Sequence, residues 1–455
     1  MANKTSSAST TSILSNTQNP IVLPRDTAEK YCIIGAGPAG MSGAKALKDK
    51  DIPFDGFEMG VDFGGLWNIE NPKSTIYESA HLISSKTMTE FKDFPMSRDT
   101  PDYPNHRRMC AYFKNYAAHF KLYDHFFFNT KVLKVEKMNS QWMVTIQTKD
   151  TQIHTFFYKG VIIANGTLSE PNLPNFEGSF DGELIHSSQY KNASIFDDKR
   201  VLVIGAGNSG CDIVVDAVHR AKKVDISVRR GYYFVPKYVF GKPSDTIGGK
   251  IKLPRRLKQL VDNKLLKWFT GDPERFGFPK PSYRIYESHP VINTLILHHI
   301  GQGDVTVRGD IKKLEKNTVY FKDLHTQEYD MIVAATGYKL HFPFIEKKHL
   351  NWDGYSPQLY LNIFHPEYDN LFVLGMVEAA GLGWEGRYEQ SKLMANYIKG
   401  IEEENPAALK FQQKKKGNQP DLSGGFSYLK LARMSYYVHK DTYRNLVTKE
   451  ASKLA

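Results

Sequence analysis

Two Rossmann-like dinucleotide-binding domains, the second inserted into the first, make up the α/β architecture that this 455-residue sequence predicts. Three observations predict it. A short apolar strand runs into a glycine-rich turn and a helix near the N-terminus, and the same order recurs near the middle of the chain. Further short apolar strands beyond the second unit then carry the chain back toward the first.

The first unit runs from Tyr31-Cys32-Ile33-Ile34 into Gly35-Ala36-Gly37-Pro38-Ala39-Gly40, a helix to about Lys50 and a strand from Phe54 to Glu58. The second runs from Arg200-Val201-Leu202-Val203-Ile204 into Gly205-Ala206-Gly207-Asn208-Ser209-Gly210, a helix to about Arg220 and a strand from Val224 to Val228. In each turn the first glycine permits a tight bend, the second lets a pyrophosphate approach the backbone, and the third brings the helix against the strand. The helix N-terminus then offers unpaired N–H groups and the positive end of its dipole to the phosphates.

The residue closing the second strand separates the two units. Glu58 presents a carboxylate to ribose hydroxyls, which suits FAD or NAD and repels a 2′-phosphate. The equivalent point in the second unit is Val228, and Arg229 and Arg230 follow it. These are either two guanidiniums placed for a phosphate dianion or two solvated arginines in a turn. FAD is expected on the first turn and NADPH on the second.

Between the units, Asn105 to Phe120 reads as an amphipathic helix whose Met109, Tyr112, Phe113, Tyr116 and Phe120 face a core. Lys131 to Lys137 and Gln141 to Thr148 read as a hairpin, and Val161 to Ala164 as a buried strand. The stretch from Glu170 to Pro174 marks a domain crossing. Met331 to Ala334, before Thr336-Gly337-Tyr338, and Leu371 to Leu374, before Gly375, both suit the return of the chain to the first domain. The expected organisation is a disordered lead-in (1–27), the first part of the FAD domain (28–171), the inserted NADPH domain (172–334), and the rest of the FAD domain with a C-terminal segment (335–455). Phe63-Gly64-Gly65-Leu66-Trp67 either brings backbone and a flat ring to a cofactor or is a turn with a core tryptophan.

The net charge of +11 would suit an anionic partner, but the basic residues are spread along the chain and nucleic acid is not expected. The densest run, Lys414-Lys415-Lys416, reads as a solvated face. Ile251 to Phe269 interleaves Arg255, Arg256, Lys258, Lys264 and Lys267 with large apolar residues. It is expected to dock on its own domain as a surface helix, with a membrane surface as the alternative. The three cysteines, Cys32, Cys110 and Cys211, form no CxxC, which disfavours a disulfide scaffold, a zinc site and a dithiol centre; Cys32 and Cys211 are expected in cores. No apolar stretch is long enough to span a bilayer, and the Ser-, Thr- and Asn-rich lead-in lacks an apolar signal core, so a soluble, cytoplasmic protein is expected.

One further motif is specific enough to name a family. Phe180-x-Gly182-x-x-x-His186-x-x-x-Tyr190 lies just before the second glycine turn and resembles the fingerprint of class B flavin-dependent monooxygenases, in particular the flavin-containing monooxygenase branch. Related Baeyer–Villiger enzymes usually end that motif in Trp. Gly64-Gly65-Leu66-Trp67, Asp93-Phe94-Pro95, Gly207-Asn208-Ser209-Gly210-Cys211-Asp212 and Ala335-Thr336-Gly337-Tyr338 agree, over about Lys30 to Gly400. The resemblance implies FAD and NADPH as cofactors, O2 as co-substrate, a C4a-(hydro)peroxyflavin, and an amine or sulfide as the oxygen acceptor; it is also compatible with a homodimer. Baeyer–Villiger oxidation of ketones and an NADPH oxidase that releases H2O2 are the alternatives. No protein nucleophile or metal is implied, so His186 and Asn208 become positioning residues. Cofactor contacts are expected from Gly35, Gly37, Pro38, Ala39, Gly40, Glu58, Gly65, Leu66, Trp67, Val132, Gly205, Gly207, Asn208, Ser209, Gly210, Arg229, Arg230, Thr336 and Gly337. One departure stands out: Ile83, before Ser84, occupies the position where many members carry an Asn beside the flavin. A side chain that cannot hydrogen-bond implies either that Ser84 takes over or that oxidase leakage rises.

Overall fold

Residues 23–247 and 254–455 are described by the computed structural model, and two five-stranded parallel sheets organise them. The first sheet orders Leu371–Val373, Gly160–Ile163, Tyr31–Ile34, Phe54–Phe57 and Phe126–Phe127 side by side. The second orders Glu183–His186, Met331–Ala334, Arg200–Ile204, Lys223–Ser227 and Val305–Arg308. The chain therefore leaves the first sheet after Ile163, builds the second, and returns at Leu371. Its two crossings run side by side, with Tyr338 paired to Pro171 and Lys339 to Glu170.

Both sheets read as continuous apolar runs because both of their faces are covered. Alternate side chains of a strand point to opposite faces. Thus Tyr31 and Ile33 join a core with Leu393 and Phe364 on the helical side. Cys32 and Ile34 meet Trp142, Val144 and Tyr158 of an antiparallel hairpin layer on the other. The second domain repeats the scheme. Val201 and Val203 pack with Cys211 and Val214 of a helix, while Leu202 and Ile204 face Leu314, Val319 and Phe321 of a small sheet. Cys32 and Cys211 are core residues, as expected. The predicted aromatic helix spans His106–His119, capped by the Asn105 side chain, which accepts from Arg108 N.

Three expectations need correction. Met331–Ala334 does not return to the first sheet; it lies between Glu183–His186 and Arg200–Ile204 of the second. Four apolar residues ending in Thr-Gly look alike in either sheet, and their periodicity carries no pairing information. Lys415 is not solvated: its ammonium is buried, donates to the carbonyls of His365 (2.7 Å) and Pro366 (2.8 Å), and lies 3.1 Å from Asp369. The basic amphipathic segment does form a helix, Arg255–Thr270, but it does not dock its apolar face: Leu257, Leu260, Val261, Leu265, Trp268 and Phe269 are all exposed. The start of that segment, Ile251 to Leu253, and residues 1–22 of the lead-in lie outside the described residues. Among the described residues no helix is long and apolar enough to cross a membrane.

One carboxylate interrupts the second sheet. Asp225 is fully buried in Lys223–Ser227 and accepts from Arg308 Nε (2.9 Å) and Tyr329 OH (2.6 Å). Asp225→Ala would leave the half-buried guanidinium of Arg308 unpaired. A loss of about 3–5 kcal/mol is expected, read as a lowered chemical-denaturation midpoint of the second domain, with Asp225→Asn recovering part of it.

Candidate active site

The first glycine turn is closed by backbone contacts that no side chain would permit. Gly35 has φ +106°, and a Cβ there would come within 2.6 Å of the Ala164 carbonyl oxygen; a Cβ on Gly40 would run into the Gly35 carbonyl. Gly37 is different: a Cβ would meet only the Gly65 Cα, at 3.6 Å, while Gly65 itself sits at φ +55°. The turn and the Gly64-Gly65-Leu66-Trp67 segment thus approach backbone to backbone. Helix Pro38–Lys48 starts behind Gly37 with no side-chain cap, so its first N–H groups remain available to an anion. Glu58 is buried and accepts from Ala36 N (2.7 Å), Gly60 N (2.7 Å) and Asn71 Nδ2 (3.1 Å). Three of about four acceptor sites on the carboxylate are then used by the protein. Thr130 N donates to Glu58 O (2.8 Å), so the start of the neighbouring strand Lys131–Met138, with Val132, follows directly on the end of Phe54–Phe57.

The second turn repeats this packing with one change. A Cβ on Gly205 would come within 2.7 Å of the Ala335 carbonyl oxygen and one on Gly210 would strike Gly205, but a Cβ on Gly207 meets nothing within 4 Å. Helix Asn208–Val218 likewise lacks a side-chain cap. Asn208 faces away from that space: its Oδ1 accepts from Ile292 N (2.6 Å) and its Nδ2 donates to Pro290 O (3.3 Å), holding a loop of the insertion. Arg229 is exposed, and Arg230 lies over the Tyr232 ring at 5.3 Å. Neither makes an ion pair among the described residues.

His186 joins the two crossings. Ser188 N donates to its Nδ1 (3.1 Å), and its Nε2 lies 3.0 Å from the Gly337 carbonyl. A carbonyl only accepts, so Nε2 carries the proton and Nδ1 is the acceptor. Burial pushes the imidazole pKa down, partly offset by the Gly337 bond. Both ring nitrogens are occupied by structural bonds, so His186 positions the linker. Thr336 adds a bond from its hydroxyl to Asn172 O (2.6 Å), and Asn172 N donates to Gly337 O (2.9 Å). Tyr190, at the end of the same motif, is buried and donates to Asp216 (2.7 Å).

Asp212, the last residue of the Gly207 to Asp212 motif, and Asp216 lie one helical turn apart on Asn208–Val218; sequence reading missed Asp216 and the inter-domain role of both. Asp212 accepts from Tyr77 OH (2.8 Å) of the first domain and from Asn293 Nδ2 (2.6 Å); Ser79 of the first domain joins Tyr190 on Asp216. Burial raises the Asp212 pKa, while the Asn293 and Tyr77 bonds lower it. Two carboxylates at i, i+4 on an otherwise apolar helix were the available signal.

Four segments converge beside the first turn. A Cβ on Gly375 would come within 2.8 Å of the Ala39 Cβ, and one on Gly383 within 2.6 Å of the Met88 carbonyl oxygen. Trp384 N donates to Thr89 O (2.9 Å), and its ring meets Trp67 edge-on at 6.3 Å. Trp67 is half-buried and packs against the cores of both domains, so it stands at their junction. Ile83 is half-buried in the Leu82 to Thr89 stretch, and the Ser84 and Thr89 hydroxyls lie 2.7 Å apart. Asp245, on the short helical turn Ser244–Thr246 of the second domain, accepts from Ser85 N (2.6 Å), which ties that stretch to the insertion. The C-terminal segment closes the group: Val438 N donates to Glu378 O (2.8 Å), and the Glu378 carboxylate pairs with Arg433 at 2.5 Å.

These residues fit two dinucleotides: two uncapped helix N-termini, each behind a glycine turn, with open space at Gly207 that a Cβ would fill. Gly207→Ala is expected to leave the melting temperature within about 2 °C while weakening NADP+ binding measured by titration calorimetry. Gly210→Ala, whose Cβ would collide with Gly205, is expected to destabilise the fold itself.

The comparisons with known proteins bear on the same residues. The flavin-binding monooxygenase-like family matches residues 28–451. Flavin-containing monooxygenase 1 of Mus musculus is 30% identical over 437 residues, spanning 91% of this chain and 82% of its own. Dimethylaniline monooxygenase (N-oxide-forming) 2 of Pan troglodytes is 31% identical over 399 residues, spanning 82% and 74%. Cyclohexanone monooxygenase from Rhodococcus sp. Phi1, solved with NADP+, shares the fold at TM-score 0.68 and 18% identity, covering 93% of this chain and 97% of that one. The chain therefore belongs to the flavin-binding monooxygenase-like family, and is an NADPH-dependent flavoprotein monooxygenase with FAD and NADPH as its cofactors.

Proposed function

We propose that this enzyme oxygenates a soft nucleophile, an amine nitrogen or a sulfide sulfur, using NADPH and O2. The observation that carries this reading is the linker. His186, Tyr190 and the Asp212–Asp216 pair tie together the two domains that carry intact glycine turns, with Tyr rather than Trp ending the motif. The N-oxide-forming relative, at 31% identity, supports nitrogen as an acceptor atom.

When bound, the flavin accepts a hydride from NADPH and transfers one oxygen atom from O2 to the substrate. The protein binds, orients and excludes water. On this reading Gly35, Gly37, Pro38, Ala39 and Gly40 hold the FAD pyrophosphate. The last free acceptor site of Glu58 takes a ribose hydroxyl, Val132 borders the same nucleotide, and Gly65, Leu66 and Trp67 border its ring. Gly205, Gly207, Ser209 and Gly210 hold the NADPH pyrophosphate, Arg229 and Arg230 its 2′-phosphate, and Asn208, Thr336 and Gly337 shape the seat. Tying Ser85 to Asp245 makes the stretch carrying Ile83 sensitive to the position of the NADPH domain.

The oxidase alternative draws support from Ile83 and Ser84. Thr89 Oγ1 gives its only proton to the Ser85 carbonyl (2.7 Å), so Ser84 must donate in the bond between the two hydroxyls. Ser84 then has no proton left to offer a neighbour, and it does not replace the Asn that Ile83 displaces. We infer that part of the NADPH consumed ends as H2O2.

Two measurements test these readings. Parallel assay of NADPH consumption and H2O2 across amines, sulfides and ketones is expected to give oxygenated amines or sulfides; product from ketones alone overturns the proposal. In the same assay Ile83→Asn is expected to lower the H2O2 released per NADPH, and a wild-type enzyme with almost no H2O2 contradicts the leakage. The double substitution Arg229→Ala/Arg230→Ala is expected to raise KM for NADPH by about 10- to 100-fold, the scale of one charge-assisted hydrogen bond, and to leave KM for NADH unchanged.

A further inference from the structure

Two guanidiniums share one carboxylate beside the glycine turns. Glu378 belongs to the loop after Gly375, the residue that lies against Ala39 of the first turn. Its carboxylate pairs with Arg433 of the C-terminal segment at 2.5 Å, and its charge also acts on Arg387. Tyr437 is bridged to Glu378, and the Tyr437 hydroxyl lies 3.4 Å from His289 Nδ1. The residue after His289, Pro290, accepts from the Asn208 side chain of the second turn (3.3 Å). The cluster therefore runs from the loop behind the first turn to the residues beside the second.

Its charges do not balance. Arg387 stands in the first turn of helix Glu385–Glu402, where the positive end of the helix dipole disfavours a cation. Its Nη1 donates to the Gly383 carbonyl (2.6 Å), and among the described residues no carboxylate pairs with it directly. Residues 1–22 and 248–253 contain no Asp or Glu, so they hold no carboxylate for it either. His289 adds no charge, because burial and Arg433 push its pKa down to about 3. Two cations thus stand against Glu378, with one positive charge in excess. Burial also lowers the Arg387 pKa, yet Arg387 and His289 both keep accessible surface. Groups that are deep in the protein and still accessible line a cleft rather than a packed core. Excess charge in such a place is costly until an anion meets it. The paired donors of a guanidinium match a carboxylate, and a single excess charge matches a monoanion. We propose that the oxygen acceptor carries a carboxylate seated on Arg387, with Arg433 beside it, so that the substrates are carboxylate-bearing amines or sulfides. This rests on the reading of the acceptor atom as an amine nitrogen or a sulfide sulfur, and adds the group by which the molecule is held.

The test sets (methylthio)acetate and N,N-dimethylglycine each against its uncharged amide, on the full-length enzyme loaded with FAD and NADP+. Binding is read by titration calorimetry, and oxygenated product by turnover with NADPH and O2. The acids are expected to bind about 10- to 100-fold more tightly than the amides, the scale of one charge-assisted hydrogen bond. Arg387→Gln is expected to bring the ratio of the two affinities close to one, and Arg387→Lys to recover part of it; an unchanged melting temperature establishes that both fold. Equal binding of acid and amide by the wild-type enzyme, or no binding of either acid, overturns the inference without any variant. So does an Arg387→Gln enzyme that keeps the ratio but loses affinity for FAD or NADP+, which would assign the charge to a cofactor. Tight binding of the acids with no oxygenated product supports this inference and counts instead against the oxygenation of amines and sulfides.

Discussion

Two carboxylates on one helix tie the two domains together. Asp212 and Asp216 belong to Asn208–Val218, the helix behind the second glycine turn, yet the hydroxyls they accept from belong to Tyr77, Ser79 and Tyr190. The first two come from the FAD domain and the third from the linker between the domains. Both carboxylates are half-buried, and the three hydroxyls replace water that docking removes from them, so these bonds favour one register of the NADPH domain on the FAD domain. The relative placement of the two glycine turns depends on that register. The backbone of the crossings follows from it too, with His186 held as one neutral tautomer between Ser188 and Gly337.

The two turns are alike in how they close and unlike in what surrounds them. Gly35 and Gly205 each lie against the carbonyl of an alanine from a neighbouring strand, Ala164 and Ala335, and Gly40 and Gly210 each lie against the start of their own turn. Gly37, however, faces the backbone of Gly65, whereas Gly207 faces open space. The first turn lies against the Gly64 to Trp67 segment and the Gly375 loop, whereas a Cβ on Gly207 would have nothing within 4 Å. Asp245 ties the two domains together again, because its short helical turn in the second domain holds the backbone N–H two residues beyond Ile83.

The places where local pattern misled have a common cause. Lys415 stands in a run of three lysines, and composition alone predicts solvent; Asp369 and two carbonyls from a distant turn offset the loss of water around its ammonium. The helix Arg255–Thr270 has the periodicity of a helix that packs by its apolar stripe, yet it packs by Gln259 and leaves the stripe outside. Periodicity locates a stripe and says nothing about the direction in which it points. Met331–Ala334 falls in the other sheet for the same reason, since an apolar strand is compatible with any sheet whose two faces are covered.

Both glycine turns, the strands before them, the aromatic helix and the monooxygenase linker motif were legible in the residues themselves, because each rests on constraints of a few neighbouring positions: a bend only glycine allows, a period of two or of 3.6. Glu58 and the Arg229-Arg230 pair were legible as the residues closing each second strand, though not that Glu58 commits most of its acceptor capacity to the turn. Which strands pair, which way the basic helix faces, why Ser84 has no proton to spare, and how Asp212, Asp216 and Asp245 bind one domain to the other were decided by tertiary structure alone. Those outcomes are set by partners far away in the chain, and no local pattern records which distant donor a buried acceptor meets.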